Sequence, residues 1–255
     1  MRVIVTRPAA QGRAFVQRLQ ALGVDAVGLP LIGIEPPSDP GAVRQAWTTL
    51  DERALVMFVS ANAVAHFFAQ RPPGATWPAG THAASTGPGT SAALRQAGVG
   101  ADAIVEPGPE GPFDTDTLWL TLGRWPWAGR RVLVVRGESG RDWLAERLCQ
   151  AGAEVDFVAA YRRVAPRFGD AEAAVLAAAL GDPQRHCWHF SSSEAIAHLI
   201  AAHPGADWTA ARALATHPRI AATARRLGFG RVGDVGVHPQ DVAAAIADMA
   251  SGARR

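Results

Sequence analysis

HFSSSEAIAHL, from His189 to Leu199, nearly repeats FVSANAVAHFF, from Phe58 to Phe68. Two further pairs recur in the same order. VIVTRPAAQGRAFVQRLQALG, from Val3, resembles VLVVRGESGRDWLAERLCQAG, from Val132, and STGPGTSAALRQAG, from Ser85, resembles ATHPRIAATARRLG, from Ala215. The members of each pair lie about 130 residues apart, too long a period for a solenoid and suited to a duplicated domain. The chain reads as a pseudo-dimer in one polypeptide.

Within each copy the pattern is strand, turn, helix. Val3 to Val5 is a β-branched run, followed by Phe15, Leu19 and Leu22 at i, i+4 and i+7, which predicts one helix face ended by Gly23. Leu55 to Val59 reads as a buried strand, followed by a helix carrying Val64, Phe67 and Phe68. His82 to Ser85, a helix from Thr90 to Ala97 closed by Gly98, a strand from Ala103 to Val105 and a helix around Asp114 to Leu122 complete the first copy. This alternation predicts an α/β fold with about five parallel strands per copy, in the flavodoxin-like style. The Pro-rich segments IEPPSDPG (Ile34 to Gly41) and VAPRFGD (Val164 to Asp170) follow the second strand of each copy and are candidate crossings between units. The repeat alone suggests a split near Gly129.

The composition removes several chemistries. All 25 Lys+Arg residues are arginine, so a Schiff-base lysine, a pyridoxal-phosphate site and a Walker phosphate loop are excluded. The formal net charge is +2 and the arginines are dispersed, which argues against a nucleic-acid groove. No apolar run approaches the roughly 18 residues of a membrane helix, and the opening MRVIVTRP reads as a strand rather than a signal peptide; no membrane association and a cytoplasmic location are expected. Cys149 and Cys187 are too few for a disulfide framework, and Cys149, on an apparent helix, is expected in the core. HCWH (His186 to His189) opens an apolar strand with no further ligand cluster, so no metal is expected. WPW (Trp125 to Trp127) reads as a packed turn, and STGPGT lacks the G-x-G-x-x-G spacing of dinucleotide binding.

Ligands of an open parallel sheet sit beyond the carboxyl ends of its strands, where the next helices begin. All three repeated motifs fall at such junctions. They offer Thr6 with Arg7, Ser60 with Asn62, and Thr86 with Gly87 and Thr90; the second copy offers Arg136 with Gly137, Ser192 with Ser193, and Thr216. Free helix N–H groups and Ser/Thr caps receive anions, and several such junctions suit a ligand with several anionic groups. Ser, Thr and Asn before helices are also ordinary N-caps. No Ser/His/Asp triad, HExxH or paired-carboxylate motif stands out.

The ordered set VTRP, FVSANAV, STGPGTSAAL, VLVVRGESGRDWL, AAYRRV and HFSSSEAI resembles uroporphyrinogen-III synthase over essentially the whole chain. The resemblance implies a cofactor-free hydro-lyase of tetrapyrrole (haem, sirohaem, cobalamin) synthesis. It would close linear hydroxymethylbilane into uroporphyrinogen III, inverting ring D with loss of water, and the acetate and propionate arms of the bilane agree with the anion-receiving junctions. It also implies two domains linked by two crossing strands, residues 1–33 with 166–255 and residues 34–165, able to close over the substrate. A monomer is expected, with a transient contact to the preceding deaminase allowed.

Tyr161, the sole tyrosine, matches by resemblance the family's tyrosine on the crossing strand and is the expected catalytic donor to the leaving hydroxyl, which would depart to give an azafulvene cation that closes through a spiro intermediate. A tyrosine merely packed on a linker strand is the competing reading. One departure concerns the second copy, where the family's Gly-Pro-x-Thr is His217, Pro218, Arg219 and Ile220, against Gly87 to Thr90 in the first. His217 and Arg219 are then candidates to take over anion binding. A non-enzymatic tetrapyrrole- or anion-binding sensor module is the alternative function. A two-domain glycosyltransferase would want a nucleotide-sugar site and a longer chain.

Overall fold

The computed structural model of the chain describes residues 1–108, 112–138 and 143–252. It divides into two compact units, Met1–Gly33 with Val164–Arg255 and Ile34–Arg163. The division lies inside two strands and not near Gly129, so the opening strand–helix–strand elements of the two copies are exchanged between units.

The first unit holds β1 (Arg2–Val5), α1 (Ala9–Ala21), β2 (Ala26–Gly28) and, after the second unit, α7 (Asp170–Gly181), β9 (His186–Phe190), α8 (Ser193–Ala202), β10 (Arg212–Ala215), α9 (Pro218–Arg226), β11 (Arg231–Asp234) and α10 (Pro239–Gly252). Its sheet runs β11-β10-β9-β1-β2, all parallel, with Val5 opposite His189 and Ala215 opposite Phe190. The second unit holds α2 (Pro40–Thr48), β4 (Leu55–Phe58), α3 (Ala61–Ala69), β5 (His82–Ser85), α4 (Pro88–Gln96), β6 (Ile104–Val105), α5 (Thr115–Leu122), β7 (Arg131–Gly137) and α6 (Trp143–Gln150). The crossing strands β3 (Gly33–Glu35) and β8 (Glu154–Val164) join its sheet, in the order β3-β8-β7-β4-β5-β6. Leaving β3 aside, the two orders are equivalent under the duplication, each a flavodoxin-like 2-1-3-4-5 arrangement. The sixth strand is therefore a crossing that settled on the sheet edge.

Both faces of the second sheet are covered, which is why LVMF of β4 is apolar throughout. Val56, Phe58, Leu133 and Val135 pack under Val64, Phe67 and Leu94. Leu55, Met57, Val132 and Val134 pack under Leu118, Leu144 and Leu148. Burial of one ring such as Phe67 contributes about 1.5–3 kcal/mol. In the first unit, Val3, Val5, Phe15, Leu19, Leu214, Val242 and Ile246 form the core between sheet, α1 and α10.

Local signals set the helix ends. Asp39 caps α2 by accepting from the amides of Gly41 and Ala42, with Pro40 at the first helical position. Gly23 and Gly98 follow α1 and α4 at φ +79° and +95°, where a side chain would be strained.

Three expectations are corrected. Leu22 lies at the C-cap of α1, past the last turn, and is 46% exposed, so the face is Phe15 and Leu19. Cys149 is exposed because Leu144, Ala145 and Leu148 form the inward stripe of α6 and the next residue turns about 100° away. Ala103 belongs to a 3₁₀ turn, and β6 begins at Ile104.

All of HCWHF in β9 is buried, and no cluster of His, Cys, Asp and Glu among the described residues could hold a metal ion. Burial pushes the Cys187 thiol up to about 12, against a smaller opposing effect of Arg212. Trp127 is packed as expected of WPW, stacked on Trp125 with centroids 5.5 Å apart and donating Nε1 to Leu122 O at 2.6 Å. No described helix is long and apolar enough to cross a membrane.

Candidate active site

In the second unit the carboxyl ends of β4, β7 and β8 bring Ser60, Gly137 and Tyr161 together. β7 and β8 change register here, from Arg136 opposite Ala159 to Gly137 opposite Tyr161, which leaves Ala160 as an extra residue. The bulge sets the Tyr161 ring against Gly137, where a Cβ would stand 3.1 Å from Cζ. Tyr161 is 2% exposed. Ser60 caps α3, its Oγ accepting from the Ala63 amide at 3.2 Å and donating to the Tyr161 hydroxyl oxygen at 3.3 Å. This leaves the phenolic proton available to a further acceptor. The His66 ring lies 6.1 Å from that of Tyr161, and burial lowers its pKa from the ordinary value.

The other expected residues of this unit lie on separate surfaces of the same edge. Gly87 is the N-cap of α4, with open space where a Cβ would project. Thr90 is buried beneath it and Asn62 is half-buried in the first turn of α3. Arg136 stands over the Phe157 ring, 4.4 Å from its centroid. Positions 139–142 of the VLVVRGESGRDWL motif lie outside the described residues. Thr86 lines a cavity of about 460 Å³ with Met57, Val59, Asp114, Asp116 and Trp143. Its carboxylates oppose an anionic guest: hydrogen bonding from Thr117 holds Asp114 below the usual carboxylate range.

In the first unit the strand ends are fastened to one another. Thr6 Oγ1 donates to His189 O at 2.8 Å, and the Thr216 amide donates to Phe190 O at 3.1 Å. Ser192 caps α8 by accepting from the Glu194 amide, and Ser193 Oγ accepts from Thr223 at 3.3 Å. His217 is exposed and caps α9, its Nδ1 accepting from the Arg219 amide at 3.1 Å. Ile220 points inward, 5% exposed, as does its counterpart Thr90 at 8%. The exchange of Thr for Ile is thus one of packing, and the exposed cap is where the two copies differ toward solvent.

Arg7 extends over the Phe15 ring at 4.2 Å and donates Nη2 to Val237 O at 3.4 Å. Phe15 in turn stacks on His189, with centroids 4.9 Å apart and planes at 14°. His189 is fully buried, and neither its ring nitrogens nor Arg7 Nε has a hydrogen-bond partner. Burial, then the charge of Arg7, pushes His189 down to about 3, so the ring is neutral at pH 7. Burial, then Arg18, lowers Arg7 from its ordinary value. HCWH packs in its strand as expected, and His189 is absent from the expected site residues; the sequence marks it only as one of two histidines in a five-residue strand.

The family model described as uroporphyrinogen-III synthase HemD matches residues 13–233. A uroporphyrinogen-III synthase of Salmonella typhimurium is 30% identical over 242 residues, covering 90% of this chain and 92% of the relative. One from Escherichia coli is 31% identical over 176 residues, covering 69% and 70%. Among solved structures, a mutant uroporphyrinogen III synthase of Thermus thermophilus superposes with a TM-score of 0.58 at 17% identity, over 99% of both chains. The uroporphyrinogen-III synthetase of Helicobacter pylori does so with a TM-score of 0.56 at 14% identity, over 98% of this chain and 99% of that one. These two likenesses establish the shared fold.

Proposed function

We infer the function from the family to which this chain belongs, the uroporphyrinogen-III synthases: it cyclises linear hydroxymethylbilane to uroporphyrinogen III in tetrapyrrole biosynthesis, as a lyase that releases water. The observation that carries this is the match of the family over residues 13–233, which spans parts of both exchanged units.

The roles of individual residues are our proposal. Tyr161 donates its phenolic proton to the terminal hydroxyl of the bilane, which leaves as water while the carbon it leaves becomes the electrophile of ring closure. Ser60 donates to the same phenol oxygen at 3.3 Å and supports the charge left there when the proton departs. Gly137 keeps space for the ring. Acetate and propionate arms are taken up at the carboxyl edges, by Arg7, Ser192, Ser193, Thr216 and His217 in the first unit. In the second they meet Asn62, Gly87, Arg136 and, less favourably, Thr86 and Thr90. Arg7 and Arg136 are the strongest of these because a guanidinium offers a fork of donors to a carboxylate. The protein's remaining task is orientation, since ring closure requires both ends of the bilane held in reacting geometry.

The reaction is tested by supplying freshly generated hydroxymethylbilane, oxidising the products and separating uroporphyrin isomers by chromatography. Isomer III above a protein-free control supports the assignment. Isomer I alone, from folded protein, would leave a tetrapyrrole- or anion-binding module as the better account. A cytoplasmic monomer that meets the preceding deaminase transiently goes with this reading. Sedimentation of the chain, alone and mixed with that enzyme, tests the assembly.

A further inference from the structure

The amino ends of the strands in the first unit carry a cavity of about 640 Å³, lined by Arg212, Arg225, Arg231, Val232, Gly233 and Met249 among others. Arg212 opens β10 and Arg231 opens β11. Arg7, Ser192 and Thr216 follow the carboxyl ends of their strands, so the cavity lies at the opposite edge of the same sheet.

Two of the three arginines are tethered without being neutralised. Arg225 donates to Val232 O and Arg212 to Gln184 Oε1, each at 2.8 Å. Among the described residues none of the three forms an ion pair, and no Asp or Glu lines the cavity. Arg212 Nε is buried and has no hydrogen-bond partner. A buried donor left unmade and three like charges around one hollow are both unfavourable, and an oxyanion relieves both. The volume is that of a small-molecule site, and Val232 and Met249 give it an apolar wall.

We propose that this arginine-lined cavity is a second anion site that takes a small organic polyanion, its apolar body against Val232 and Met249 and its carboxylates or phosphates on Arg212, Arg225 and Arg231. It does not depend on the assigned reaction. A ligand held there reaches the protein by its own recognition and not through the carboxyl edge.

The full chain is titrated by calorimetry with 1,3,5-benzenetricarboxylate and with inorganic tripolyphosphate, and again as Arg231→Gln, Arg231→Glu and Arg7→Gln. We expect an Arg231-dependent site in the unaltered chain, weakened about tenfold by Arg231→Gln and further by Arg231→Glu. Arg7→Gln leaves that affinity unchanged, and both Arg231 variants keep full turnover. The tighter probe identifies whether carboxylate or phosphate is the favoured head. Arg231 begins an edge strand at the surface, so Arg231→Gln retains the fold and decides the matter if Arg231→Glu does not fold. Absence of binding by both probes, binding indifferent to Arg231, or binding abolished by Arg7→Gln would overturn the proposal.

Discussion

Ser60 donates to the hydroxyl oxygen of Tyr161 at 3.3 Å while accepting from the Ala63 amide, so the N-terminus of α3 is connected through one hydroxyl to the only tyrosine in the chain. If Tyr161 is the acid of the first step, Tyr161→Phe lowers kcat by about 10²–10⁴ and Ser60→Ala by about tenfold. Circular dichroism should remain native in both. Full turnover by Tyr161→Phe would confine the residue to packing.

Gly137→Ala places a methyl 3.1 Å from Tyr161 Cζ and 3.4 Å from its hydroxyl oxygen. The ring must move off its position against Ser60, at a cost of about 1–3 kcal/mol. Urea unfolding reads the stability loss, and isomer chromatography is expected to show a parallel fall in turnover. An unaltered enzyme would mean that the bulge relaxes without disturbing the ring.

Arg7→Gln removes the guanidinium over Phe15 and is expected to raise KM about tenfold, with a smaller change in kcat, since a carboxylate arm distant from the reacting carbon contributes uniform binding. Initial rates over a range of bilane concentrations separate the two parameters. An unchanged KM would take Arg7 out of substrate binding.

His189 should make the first unit sensitive to acid. Its pKa in the folded chain is about 3 against an ordinary 6.5, so between these values the unfolded chain binds a proton that the folded chain does not. Above pH 6.5 the residue has no effect; as pH falls from 6.5 toward 3, stability is lost at about 1.4 kcal/mol per unit, or roughly 2 kcal/mol by pH 5. His189→Met, which installs the residue found at the equivalent position of the other copy, Met57, should remove that loss. Urea midpoints at pH 7 and pH 5 for both chains test this; equal losses would exclude His189 as the cause.

The alternation of strands and helices made the parallel, flavodoxin-like style of each unit and several helices legible in the sequence, because apolar runs such as LVMF and caps such as Ser60 act locally. Repetition says nothing of which copies of an element share a sheet. Whether Val3–Val5 pairs with β4 or β9 is decided by long-range packing, which composition leaves symmetric, and only the family resemblance pointed to the exchange. The apolar spacing runs on through Leu22, but α1 ends at its cap and not where that spacing runs out. Ser60 and Gly137 were visible as a cap and a strand-end glycine, whereas their meeting at Tyr161 depends on one extra residue, Ala160, in the ladder. Arg7 was legible as a charge at a junction and His189 as part of a packed strand; that Phe15 brings the two together was not, since it depends on how α1 lies on the assembled sheet.

The passage of the chain through β3 and β8 also orders its synthesis. β1 is a central strand, yet its neighbour β9 begins at His186, so the first 33 residues leave the ribosome with only β2 to pair with. At 5–20 residues per second they wait roughly 10–30 s for that partner, while residues 34–163 complete a unit of their own. Residues 1–33 are therefore made before the second unit yet buried after it, and a chaperone that holds nascent apolar strands has its target there.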